Sequence, residues 1–224
     1  MSASVISPLE TAIVPLDPAI QHAINTQIDA LMACLPNPKT LSAQERRDII
    51  ARYTAILEGN FIYWMTATLI AVQAEDAKPI LLENLNDEVR GAHPAMLRRF
   101  AIAAHAFPTD TDFLAVTDGV TRIRLFLARL SATQTLAMMA FFEGFIQKYM
   151  TPFAEIAALQ GSSEMEYTSV HDVCDIGHTD GLFRALAAEM AVNPPAPGID
   201  LYEGVALLRD LMAQAIIPQP ASQA

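Results

Sequence analysis

The chain predicts an all-α protein, a bundle of about seven helices. Apolar residues recur at three- and four-residue spacing through its long segments, with no alternating strand pattern. Helix caps and first-turn prolines punctuate those segments. Hydrophobic residues make up 52% of the 224 and charged residues 17%, so little of the chain can stay unfolded. One domain over residues 1–224 is the simplest count, with loose termini at 1–16 and 218–224.

Each element has a local reason. Asp17-Pro18 supplies an N-cap and a first-turn proline for a helix to about Leu35, and Asn37-Pro-Lys-Thr40 breaks it. Ser42-Ala-Gln-Glu45 is a capping box that opens a long helix to about Ala74, its inner side marked by Ile49, Tyr53, Ile56, Phe61, Trp64, Thr68 and Val72. Pro79 starts a third helix, broken by Gly91 and Pro94, and a fresh helical run follows from Ala95 to about Ala106. Pro108 with Asp110 or Asp112 begins the next helix, which ends near Leu130. Ser131 caps the one after it, with Pro152 expected to bend that helix by removing a ladder hydrogen bond. Gly161-Ser-Ser163 leads into a helix to about Met190. The stiff stretch Asn193-Pro-Pro-Ala-Pro-Gly198 precedes a last helix from about Asp200 to Ile216.

Composition removes several functions. A formal charge of −11 opposes a nucleic-acid or anionic-membrane partner, since either needs a basic surface. The longest apolar run, Met65 to Val72, falls far short of the roughly 20 residues that span a bilayer. The first basic residue is Lys39, so no charged region precedes an apolar stretch as in a leader. Two cysteines, Cys34 and Cys174, make no disulfide framework, and a reducing cytoplasm is the expected location.

The most informative stretch is His171-Asp-Val-Cys-Asp175-Ile-Gly-His178. Its ligand-type side chains fall at i, i+4 and i+7, within a narrow stripe of one helix face. Two imidazoles and a carboxylate are a set that suits non-heme iron. The alternative is a solvated polar face, which Val170, Cys174, Leu182 and Phe183 nearby oppose. Glu143 follows Met138-Met-Ala-Phe-Phe142, among neighbours where an ionised carboxylate needs a counter-charge. A metal would supply one. So would Arg122 or Arg124, or an outward rotation would remove the need. Glu88 and His93 stand five residues apart, roughly 140° around a regular helix, so they share a face only if Gly91 breaks the helix between them. Otherwise His93 is a cap beside Pro94. Glu58 is a further acid in apolar surroundings, while His22 and His105 have no matched partners and read as structural.

The order Glu88, His93, Glu143, then His171-x3-Asp175-x2-His178 resembles the heme-oxygenase-like diiron oxidases and oxygenases, relatives of the thiaminase and pyrroloquinoline-quinone synthase bundles. Glu83-Asn-Leu-Asn-Asp-Glu88 followed by His93-Pro-x-x-Leu97 carries the same likeness, which covers about Glu58 to Arg184. The resemblance implies a heme-oxygenase-like bundle in which Glu88, His93, Glu143, His171, Asp175 and His178 bind two Fe(II) ions, with Glu58 the extra carboxylate some members add. The interval from Glu88 to His93 is compressed relative to the family's clearest pattern. Charge counting agrees with the grouping. Two Fe(II) bring four positive charges against three from Glu88, Glu143 and Asp175, and Glu58 would complete neutrality. Without metal, like charges so close should raise the carboxylate pKa values.

The activity implied is O2 activation for oxygenation of a small metabolite in biosynthesis, with N-oxygenation of an amine or amino-acid-derived nitrogen preferred over oxidative C–C cleavage of an amino or fatty acid. An external electron donor and a homodimer are the expected partners. Phe61, Trp64, Met139, Phe142 and Tyr167 are the candidate substrate pocket, and an acyl substrate would want a long tunnel and a basic anchor. Two other classes remain: a metal-free binding protein, whose acids would face solvent, and a thiaminase-like hydrolase, which would need Cys174 in the pocket.

Overall fold

The structure is a computed structural model that describes residues 15–218, except for the side chains of residues 172–176. The described residues form nine α-helices: α1 (Pro18–Ala33), α2 (Ala43–Leu57), α3 (Asn60–Ala71), α4 (Lys78–Arg90), α5 (His93–Ala103), α6 (Asp110–Leu127), α7 (Ala132–Leu159), α8 (Glu166–Val192) and α9 (Glu203–Ile216). A 3-10 turn, Pro38–Thr40, joins α1 to α2, and no strand occurs among the described residues. No described helix is long and apolar enough to cross a membrane.

Helix starts follow local chemistry. Asp17 accepts from the Ala19 N–H at 2.9 Å. Ser42 and Glu45 close the capping box of α2, and Thr109 with Asp112 does the same for α6. Asp112 has a second task. It is buried and takes both NH groups of Arg47 at 2.8 Å, fastening the start of α6 to α2.

The count exceeds seven because one helix read as continuous is divided and the run after the expected break at Gly91 is a full helix. The long second helix stops at Leu57 and restarts at Asn60, since Gly59 adopts φ +80°, outside the helical region. Asn60 stabilises the joint by donating to the Ile56 carbonyl at 2.6 Å. All seven inner-side positions are nevertheless buried, because α3 picks up the same core face as α2. That expected break separates α4 from α5 at Ala92, which stands at φ +56°. At the other proline, Pro152, the helix continues to Leu159.

The centre of the bundle is α7. Every residue from Ala132 to Ile146 is buried, which a helix achieves only when neighbours cover it on all sides. Those neighbours include α8, α9, α1, α2 and α3. Along one stripe Phe141, Phe145, Tyr149 and Phe153 stack at centroid separations of 6.3, 5.2 and 5.2 Å. Burying each such ring stabilises the fold by roughly 1.5–3 kcal/mol. This apolar column carries Glu143 on its N-terminal half.

Candidate metal centre

Three buried side chains from three helices meet beside α7. Glu88 ends the core-facing side of α4, His93 opens α5, and His171 lies in the second turn of α8. One ligand atom from each lies within 4.8 Å of the others. The Glu88 Oε1 atom is 2.8 Å from His93 Nδ1 and 3.7 Å from His171 Nε2, and the two imidazole rings meet edge-on at 4.5 Å. Donors about 2.1 Å from a first-row metal stand roughly 3 Å apart when cis and 4 Å when trans, so the set fits one ion.

The reversal between Glu88 and His93 has a specific cause. Gly91 keeps an ordinary helical φ of −68°, and the left-handed turn falls on Ala92. What glycine supplies is space. A Cβ on Gly91 would lie 2.5 Å from the Asp87 carbonyl and 2.7 Å from His93 Nε2. The imidazole folds back over the end of α4 into the volume a side chain would occupy.

His171 is held in one orientation: its Nδ1–H donates to the Tyr167 carbonyl one turn earlier at 2.7 Å, which turns Nε2 toward Glu88. Two turns on, His178 places Nδ1 3.9 Å from Glu143 Oε2 and Nε2 3.2 Å from Asp87 Oδ2. Glu143 is 2% exposed, which rules out an outward rotation, and the Arg124 guanidinium is bonded to Asn60. The side chain of Asp175 lies outside the described residues, as does that of Cys174.

Raised carboxylate pKa values were expected from like-charge crowding, and Glu88 does the reverse. Burial alone raises its carboxyl, but hydrogen bonds and charge from His171 and His93 outweigh that and hold it at about 2, below its usual 4.5.

Glu58 is not part of this group. It caps the end of α2 and pairs with Arg98 on α5. His22 and His105 are exposed. A small cavity of about 20 Å³ opens beside the cluster, walled by Leu57, Phe61, Ile62, Leu97, Ile146 and Tyr167, with Glu88, His93, Glu143 and His171 at its polar end. By that measure it has room for about one water-sized molecule. Trp64 and Phe142 lie behind this wall, with Phe142 packed between Phe61 and Trp64 at 5.5 Å from each, and Met139 is buried in the core. Tyr167 reaches the cavity while its hydroxyl shares a hydrogen bond of 3.2 Å with Tyr53. Neither Asp87 nor Tyr53 was anticipated at the site. The only signal for Asp87 was its adjacency to Glu88.

A helical bundle that buries a carboxylate and two imidazoles around a cavity defines a metal-binding protein class. The match to known families makes this specific: the family described as iron-containing redox enzyme, within the heme-oxygenase-like group, matches residues 50–212. The chain belongs to that family. Comparison with curated proteins finds no match, and comparison with solved structures finds none.

Proposed function

We propose that the chain is a diiron, O2-activating oxygenase that N-oxygenates a small amine or amino-acid-derived nitrogen in a cytoplasmic biosynthetic reaction. The observation that carries this is the buried Glu88–His93–His171 cluster opening into an apolar cavity. Glu88, His93 and His171 would hold one Fe(II), and Glu143, His178 and Asp175 would serve the second. Bound as a pair, ferrous ions would supply reducing electrons for O2 activation, with an external donor as their source.

The remaining work falls to the protein. Leu57, Phe61, Ile62, Leu97 and Ile146 surround the polar cluster with apolar surface, which limits the water beside it and favours an apolar group next to the reacting nitrogen. His171 is held by Tyr167, so its ring cannot rotate away from the site. Tyr167, whose hydroxyl is shared with Tyr53 behind it, is the wall residue with a polar group that can orient a nitrogen.

Substrate charge separates the readings. No lysine or arginine lines the cavity, and all 14 of them fall within the described residues. A fatty or amino acid carboxylate finds no basic anchor there, which supports an uncharged or cationic substrate. Burial of Glu88 and Glu143 also opposes the metal-free binding protein.

The test is anaerobic Fe(II) loading followed by an O2 pulse with matched amines and carboxylic acids. The proposal expects hydroxylamine or more oxidised nitrogen products from amines, and loss of them in His171→Ala. Turnover of the acids alone, with chain-shortened products, would replace this reading by C–C cleavage.

A further inference from the structure

We propose that Asp87 is a positioning residue that selects which nitrogen of His178 faces the metal centre, an inference that rests on the diiron reading above. Asp87 is on α4, one residue before Glu88, and its side chain is about half exposed. Its Oδ2 lies 3.2 Å from His178 Nε2. A carboxylate at neutral pH only accepts, so Nε2 carries the hydrogen and donates it. The nitrogen turned toward the interior is then Nδ1, on the Glu143 side.

The other α8 histidine is anchored the opposite way. His171 donates from Nδ1 to the Tyr167 carbonyl and presents Nε2 to Glu88. Seven residues along one helix, two rings thus offer different nitrogens to a shared interior. Without an anchor, a 180° flip of the His178 ring would exchange a nitrogen for a carbon at the position facing Glu143. Asp87 makes the two orientations unequal, and its charge makes the ring a stronger donor to metal.

The spacing needed for this contact is built into the helix pair. α4 and α8 run in opposite senses, since Ile80 lies against Gly181, Asp87 against His178 and Glu88 against His171. A Cβ on Gly181 would stand 3.0 Å from the Ile80 side chain. That close approach, one turn beyond His178, brings α4 near enough for a side chain as short as aspartate to reach the ring.

The test has a readout that needs no iron. In metal-free protein labelled with 15N-histidine, long-range 1H–15N spectra report which ring nitrogen of His178 carries hydrogen. We expect a protonated Nε2 in the wild type, retained in Asp87→Asn, whose amide oxygen still accepts. Asp87→Ala should mix the tautomers of His178 while leaving the other four histidines unchanged. In anaerobic Fe(II) titrations Asp87→Ala should weaken one of the two ions by about 10–100-fold, and Asp87→Asn by less. A wild-type His178 without hydrogen on Nε2 would overturn the assignment. So would Asp87→Ala with an unchanged tautomer and unchanged affinity. Wild-type protein that binds no Fe(II) would instead overturn the diiron reading, and the spectra would still decide the Asp87 pairing.

Discussion

Gly91 shows how one residue type can matter for a reason other than backbone freedom. Its φ is ordinary, but an added methyl collides with both the Asp87 backbone carbonyl and the His93 ring. Gly91→Ala should therefore shift the end of α4 and His93 while keeping the helical bundle, and lower Fe(II) affinity by at least tenfold, read by anaerobic titration beside circular dichroism. Glu88 makes a second residue-scale prediction. Its folded pKa lies below the unfolded value, so its contribution to stability is complete above pH 4.5 and is lost as pH falls toward about 2. The size is roughly 3 kcal/mol. Denaturant midpoints of chelator-treated protein across that window should fall more steeply for the wild type than for a His93→Ala, His171→Ala double variant. Tyr149 makes a third: its hydroxyl is buried with no hydrogen-bond partner among the described residues, and burial pushes its pKa well above 10. Tyr149→Phe should leave stability unchanged or raise it by about 1 kcal/mol in urea melts.

Among the elements, α8 carries two histidines on one stripe, and its far end is fixed by a fully buried acid. Glu189 accepts from the Gln73 and Ala74 N–H groups at 2.9 and 2.8 Å and from the Asn193 amide at 2.9 Å. It thereby ties α8 to the connection between α3 and α4, the helix that bears Glu88. Glu189→Ala leaves the buried Ala74 N–H and two part-buried donors without their acceptor and should cost about 3 kcal/mol, measured as a lowered denaturant midpoint. The helices themselves were legible from caps and prolines, because those signals act within four residues of the boundary they set. The division of α2 from α3 was missed because a lone glycine inside an apolar pattern is compatible with a continuous helix, and Gly59 takes its left-handed φ only through tertiary context. The Glu88–His93 reversal was legible through Gly91, though the backbone turns at Ala92.

For the molecule as a whole, a buried helix surrounded by others places acids from distant segments around one cavity, and iron binding is therefore coupled to the folded state. Fe(II) at about 100 times its dissociation constant should raise the melting temperature by about 5–10 °C, and a chelator should reverse the shift. Helical register led to His171 and His178, which lie on one face of α8, whereas Glu88 and His93 were reached through the family resemblance and the break at Gly91. Spacing could not place Glu58, whose Arg98 partner comes from another helix, or separate wall from core among Phe61, Trp64, Met139, Phe142 and Tyr167, since all five are apolar or aromatic and buried. The central claim is that the bundle holds a pair of iron ions, and an anaerobic Fe(II) titration with Mössbauer quantification tests it most directly. Saturation at two ions per chain, lost in the Glu88→Ala and His171→Ala variants, is the predicted result; saturation at one ion, or no stoichiometric binding, would contradict it.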